Sequence, residues 1–140
     1  FYSETFKIKI RILRLSNVYG RKSEGSNFID YLLFNKSEKL EIFNPKDRRD
    51  FIHVSDVCEA IVKSFKDFRN NKLYEIYNIG SGISYSKEEI IQILNLGNRC
   101  SFKNDQTIIS DTVYDIEKAV QAFDWIPKID LIKYLKLKKG

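Results

Sequence analysis

Three stretches of this sequence gather the side chains best able to do chemistry. Arg14-Leu-Ser-Asn17-Val-Tyr19-Gly20 sets a guanidinium, an amide and a phenol in one short run. Arg49-Asp50-Phe-Ile-His53-Val-Ser-Asp56 joins a cation, two carboxylates and the single histidine of the chain. A planar guanidinium fork matches phosphate or carboxylate oxygens bidentately, and an amide donates and accepts at once, as a polyol requires. The third stretch type is a phenol four residues before an ammonium, at Tyr114-Asp-Ile-Glu-Lys118 and again at Tyr134-Leu-Lys-Leu-Lys138. A nearby Lys charge makes a phenol easier to ionise, which is the basis of Tyr/Lys acid–base pairs. Metal chemistry has no such support. Cys58 and Cys100 form no Cys-x-x-Cys pair and no ligand spacing with His53. They read as two reduced thiols.

The elements that must position these groups follow from periodicity. Lys9 to Ser16 carries apolar residues at 10, 12, 13 and 15, a short and mostly buried strand. Gly20 to Asn27 is a polar loop, and Phe28 to Phe34 has helical spacing. Leu40 to Phe43 is a short strand, closed by Asn44-Pro45-Lys46-Asp47, which is turn chemistry. Arg49 to Val54 is the next strand. Ser55 and Asp56 then read as N-cap and first-turn carboxylate of a helix over about 57–68. Val57, Ala60, Ile61, Ser64, Phe65 and Phe68 share one face of it. Leu73 to Ile79 is a strand ending at the turn Gly80-Ser-Gly82. Ser86-x-x-Glu89 is a capping box for a helix through Leu94. Asp115 to Phe123 is a last helix, stopped before Pro127. Alternation of this kind implies an α/β layer structure with some parallel pairing.

The chain of 140 residues is 43% hydrophobic, with 10 Phe and 8 Tyr, which suits one domain with a real core. The formal charge of +5 is concentrated in the tail Lys136-Leu-Lys138-Lys139, read as a solvated terminus. No basic stripe with interleaved aromatics points to nucleic acid. No apolar run nears the roughly 18 residues of a membrane span, and no signal sequence opens the chain. The location expected is cytoplasmic, so the sequon at Asn35-Lys36-Ser37 reads as chance. The chain has no Met and opens on Phe1-Tyr2-Ser3-Glu4, which resembles the end of a helix. The expectation is a piece of a longer protein.

Five segments, in order, resemble the extended short-chain dehydrogenases/reductases, the family of the NAD-dependent sugar-nucleotide epimerases and dehydratases. They are Arg14-x-x-Asn17-Val-Tyr-Gly20, Leu40-Glu-Ile-Phe43, Arg49 to Asp56, Tyr77-Asn-Ile-Gly-Ser-Gly82, and Asp115-Ile-Glu-Lys-Ala119 with Trp125-Ile-Pro127. Asn44 and Asp124 stand where the family has glycine. The resemblance implies an α/β fold, the C-terminal part of a Rossmann-type enzyme with its small substrate-binding subdomain. Residues 1–140 would form a single substrate-binding portion, with the NAD-binding part absent. The family's glycine-rich fingerprint belongs between strand and helix, where backbone approaches a pyrophosphate. Gly80-Ser-Gly82 lacks the third glycine and comes too late. The family's catalytic Tyr-x-x-x-Lys precedes the Arg-x-x-Asn strand, whereas both matches here follow it. No catalytic residue is therefore expected, and Phe1 to Lys7 resembles the tail of the catalytic helix.

The resemblance also assigns roles. Asn17 would hydrogen-bond a nucleoside-diphosphate sugar, Phe43 would lie against the base, and Arg49 would pair with diphosphate or ribose oxygens. Their structural alternatives are a turn cap, core packing, and an ion pair with Asp47 or Asp50. Leu15 and Ser16 would approach the nicotinamide of NAD in the full-length parent, while the segment alone needs no cofactor. Arg14 is read as tying the strand to a carboxylate, Arg48 as solvated, Tyr19 as packing or else lining the sugar pocket, and His53 as structural. Asp56 is read as a helix-start residue. The family often has a second Arg before its closing helix. Here Lys103-Asn-Asp105 or Ser110-Asp111 occupies that stretch, and Lys103 supplies the charge without the fork. The reading expected is the substrate-binding portion of an epimerase or dehydratase, inactive alone. A non-catalytic nucleotide-diphosphate or protein-binding module is the alternative, and a self-associating homo-oligomeric fragment is a third.

Overall fold

The computed structural model describes residues 1–20, 27–66, 72–105 and 108–139. The expected polar loop and Phe68 thus lie wholly or largely outside the described residues. Helix α1 (Tyr2–Phe6) ends in a left-handed Lys7 and leads into β1 (Ile10–Leu15). Strand β1 pairs in parallel with β5 (Tyr74–Ile79), from Ile10 opposite Tyr74 to Leu15 opposite Ile79. After Ser16 the chain leaves this sheet. Strand β2 (Asn17–Tyr19) joins β4 (Arg48–His53) in parallel, in a second sheet. The other end of β4 carries β6 (Ser84–Ser86), antiparallel, and β8 (Asp111–Thr112), parallel. A third, two-stranded sheet pairs β3 (Leu40–Phe43) with β7 (Cys100–Lys103). The α/β class with parallel pairing is as expected.

Strand β4 binds the layers because successive side chains point to opposite faces. Phe51 enters a core with Tyr19, Ile29, Leu40, Ile90 and Leu135, and Ile52 enters another with Ala60, Tyr77, Phe123 and Trp125. Helix α2 (Phe28–Phe34) is capped by Asn27, whose side chain accepts from the Asp30 N–H at 2.9 Å. Helix α4 (Lys87–Ile93) opens on the expected capping box, with Ser86 and Glu89 each accepting from the other's backbone N–H. Helix α5 (Glu117–Phe123) stops at Asp124, which is left-handed at φ 48°, a helix-ending conformation that favours glycine.

Three expectations change. Helix α3 (Val54–Lys66) starts earlier than the cap pattern suggested, so Ser55 lies inside its first turn rather than at the cap, beside Asp56, which is in that turn as read. Its apolar face is also not all buried: Val57, Ala60 and Ser64 point inward, but Ile61 and Phe65 are exposed. The basic tail is not a loose terminus. It is the end of α6 (Leu131–Lys138), which buries Leu131 and Leu135 and places Lys136 and Lys138 in the last turn. Cations there complement the helix dipole. The stretch 97–112 supplies β7 and β8, short polar strands whose pairing is backbone-driven and leaves little periodicity to read.

Candidate substrate site

Arg49 lies in β4, half-buried, with its guanidinium held in place. Nη1 donates to the Arg48 carbonyl at 2.7 Å and to the Ser110 carbonyl and hydroxyl at 3.2 and 3.1 Å. Nη2 reaches Asp47 Oδ2 at 3.5 Å, and Asp47 in turn accepts from the Ser110 N–H at 2.9 Å. The ion pair with Asp47 is therefore present. Arg49 Nε donates to no group among the described residues, so the fork retains donors for an anion. Arg48 is not solvated as expected. It donates to the Ser84 carbonyl at 2.7 Å and pairs with Glu89 at 3.0 Å, clamping β4 to β6 and α4. Glu89 is held below the usual carboxylate range by the backbone N–H of Ser86 and, against some desolvation, by Arg48.

Phe43 is 47% exposed, so core packing does not explain it. It lines a cleft of about 310 Å³ with Phe28, Tyr31, Glu41 and Lys87. Lys103 sits over its ring at 5.7 Å and pairs with Glu41 at 2.7 Å. Lys87, which the sequence did not single out, donates to the Phe43 carbonyl at 2.6 Å. The Lys87 backbone N–H donates to the Asp47 carbonyl at 3.3 Å and Asp47 pairs with Arg49 at 3.5 Å, so the cleft and the guanidinium are neighbours. Asn17 donates to the Asp50 carbonyl at 3.0 Å, one residue along β4 from Arg49.

Asp50 is the residue whose importance the sequence hid. Its carboxylate is fully buried and accepts five hydrogen bonds. The donors are the N–H and hydroxyl of Ser81 at 2.8 Å each, the N–H of Gly82 at 3.0 Å, the N–H of Tyr114 at 3.2 Å and the Ser16 hydroxyl at 3.2 Å. It ties the ends of β1 and β5 to the second sheet. Gly80 must lack a side chain, because a Cβ there would stand 2.6 Å from Asp50 Oδ2. The consequence for a dinucleotide is direct. The Ser81 and Gly82 amides of this turn are already spent on an internal carboxylate. Among the described residues, this turn does not fit the pyrophosphate of NAD. Leu15, 41% exposed, has its carbonyl bonded to the Tyr114 hydroxyl at 3.3 Å, and the Ser16 hydroxyl is taken by Asp50.

The side chains of both Tyr-x-x-x-Lys matches make internal contacts. Lys118 donates to the Ile76 carbonyl at 2.9 Å and lies over Tyr77. Tyr134 packs on Tyr19 and His53, and burial raises its pKa, even with Lys138 over its ring. Arg14 is exposed and forms no ion pair among the described residues, against expectation. Asp56 lies in the first turn of α3, as read. It accepts from the N–H groups of Lys128 and Ile129 at 3.1 and 3.0 Å, binding the Pro127 segment to α3. No three potential metal ligands cluster among the described residues, and no described helix is long and apolar enough to cross a membrane.

His53 is structural in a way the sequence did not show. Its Nδ1 accepts the Ser55 N–H at 3.2 Å in the first turn of α3, and its ring meets Tyr19 and Tyr134 edgewise or tilted. Gly20 abuts it: a Cβ at Gly20 would fall 2.4 Å from Nε2. Burial lowers the His53 pKa, and Lys138 adds to this against Asp56 and Asp30. The unfolded chain therefore takes up this proton first as pH falls. Stability is full above the ordinary histidine value of about 6.5 and declines as pH drops through it toward the lower folded value. Urea midpoints between pH 5 and 8 should show this loss, and His53→Gln should remove that part of the slope.

The family model of the NAD dependent epimerase/dehydratase family matches residues 1–80. The chain belongs to that family. A putative UDP-glucose 4-epimerase of Methanocaldococcus jannaschii is 31% identical over 96% of this chain, which spans 46% of that protein. A CDP-abequose synthase of Salmonella muenchen is 29% identical over 65% of the chain and 31% of its own length. Among solved structures, UDP-glucuronic acid 4-epimerase of Bacillus cereus, in complex with UDP-glucuronic acid and NAD, superposes with TM-score 0.79 at 25% identity. It is covered over 46% of its length by 99% of this chain. The dTDP-glucose 4,6-dehydratase of Bacillus anthracis, in complex with NAD, gives the same TM-score, identity and coverage. The chain thus spans less than half the length of these family members.

Proposed function

We propose that these 140 residues are the substrate-binding portion of an NAD-dependent nucleoside-diphosphate-sugar epimerase or dehydratase. The observation that carries this reading is the pairing of an exposed aromatic cleft at Phe43 with a positioned, incompletely used guanidinium at Arg49. Phe43 takes the base, Arg49 the diphosphate or ribose oxygens, and Asn17 the substrate farther along β4. Leu15 and Ser16 border the nicotinamide end of a cofactor whose phosphates are held elsewhere. The parent reaction is transient oxidation of the sugar at C4 by NAD, then epimerisation or loss of water. None of its steps is assigned to residues here, and the segment alone is expected to show no turnover.

Calorimetric titration of the chain with UDP, dTDP, GDP and ADP tests the binding half of this reading. Arg49→Ala should weaken the preferred nucleotide roughly ten- to a hundred-fold, the worth of a charge-assisted hydrogen bond of about 1.5–3 kcal/mol. Unchanged affinity in the variant would remove Arg49 from the site. Epimerase or dehydratase turnover by the isolated 140 residues would refute the assignment of a binding portion only.

A further inference from the structure

We propose that Lys87 selects the nucleobase by meeting ring position 4, favouring uracil or thymine, which carry a carbonyl there, over cytosine, which carries an amine there and shares only the C2 carbonyl. The inference rests on the reading of the Phe43 cleft as the base site and goes beyond it by naming the group that discriminates. The walls of the cleft are largely aromatic and apolar: Phe28, Tyr31, Ile42 and Phe43. Such surfaces accept any base alike, because every base has a π-face. Discrimination must come from the few polar groups that line it.

Two of these are committed to the protein. Asn27 donates to the Val18 carbonyl at 2.8 Å and accepts from the Asp30 N–H. Glu41 would suit an amine, but Lys103 pairs with it at 2.7 Å. Lys87 is different. It is anchored beside the ring by its bond to the Phe43 carbonyl, and no carboxylate lies within ion-pairing distance of it among the described residues. An ammonium has three protons and only donates, so two remain to be satisfied. Burial lowers its pKa, offset by Asp47 and Asp105 and reinforced by Arg49, and beyond the Phe43 carbonyl the described residues offer its ammonium no acceptor. A uracil or thymine carbonyl supplies that acceptor. The cytosine amine presents donors to a donor and leaves Lys87 unpaired, the situation that gives polar sites their selectivity.

The test is calorimetric titration of the chain with UDP, dTDP and CDP, repeated in Lys87→Met, which keeps the stem but not the charge, and in Lys87→Arg, which keeps a donor. Wild type should bind UDP and dTDP about ten-fold more tightly than CDP, the low end for one partly buried donor left unpaired. The ratio should fall to near one in Lys87→Met and persist in Lys87→Arg. Arg49→Ala should weaken all three nucleotides and leave the ratio intact. Equal wild-type affinities, or an unchanged ratio in Lys87→Met, overturn the role of Lys87 while the substrate-site reading stands. No binding of any nucleotide overturns both.

Discussion

Asp50→Ala is expected to destabilise the chain by roughly 3–5 kcal/mol, as a lower urea midpoint at unchanged slope. The carboxylate is fully buried and satisfies three backbone N–H groups, at Ser81, Gly82 and Tyr114, besides two hydroxyls. The hydroxyls can turn elsewhere, but the amides cannot. Each buried donor left without a partner costs about 1–3 kcal/mol. Asp50→Asn keeps the volume but turns an NH2 toward donors, so it should fall between wild type and alanine. A change within about 0.5 kcal/mol, the range of ordinary surface substitutions, would show that the β1–β5 sheet is held to β4 by other contacts.

Trp125→Ala should cost about 3–5 kcal/mol, the usual loss for a large aromatic taken from a core. Trp125 is 1% exposed among Ala60, Tyr77 and Phe123, and its Nε1–H donates to the Asp56 carbonyl at 3.1 Å. Trp125→Phe separates the two contributions: it keeps much of the packing, so the added cost of the lost hydrogen bond should be about 1 kcal/mol. Urea unfolding of both variants gives the comparison. Equal losses for Phe and Ala would mean that the indole hydrogen bond, rather than volume, carries the effect.

Much of the fold was legible because its signals are local. The helix over 28–34 and the capping box at Ser86 and Glu89 depend on neighbours within a turn, and both stand as read. The β1 and β5 runs needed only apolar composition and turn residues at their ends. The misreadings have physical causes too. Ser55 lies two residues after His53, whose imidazole does the capping, so the serine hydroxyl was mistaken for the cap. Ile61 and Phe65 match the helical period of α3, but periodicity cannot say which flank of an apolar stripe is covered. Helix α6 was passed over because its lysines looked like a charged tail, although Leu131 and Leu135 lie at helical spacing beneath them.

The amino-acid order by itself determined the α/β class, most helix and strand positions, the membership in an NAD-dependent family and the candidates Asn17, Phe43 and Arg49. The class and the elements follow from composition and periodicity, and the family and the candidates from the resemblance of five motifs, all of which a chain carries without folding. Only the tertiary structure decided what those candidates face. Ser110, 61 residues beyond Arg49, holds its guanidinium, and Lys87, 44 residues beyond Phe43, lines its cleft. Asp50 became the junction of two sheets because the chain crosses between them at Ser16. Contacts across such separations depend on how sheets pack, and no local pattern of residues records them.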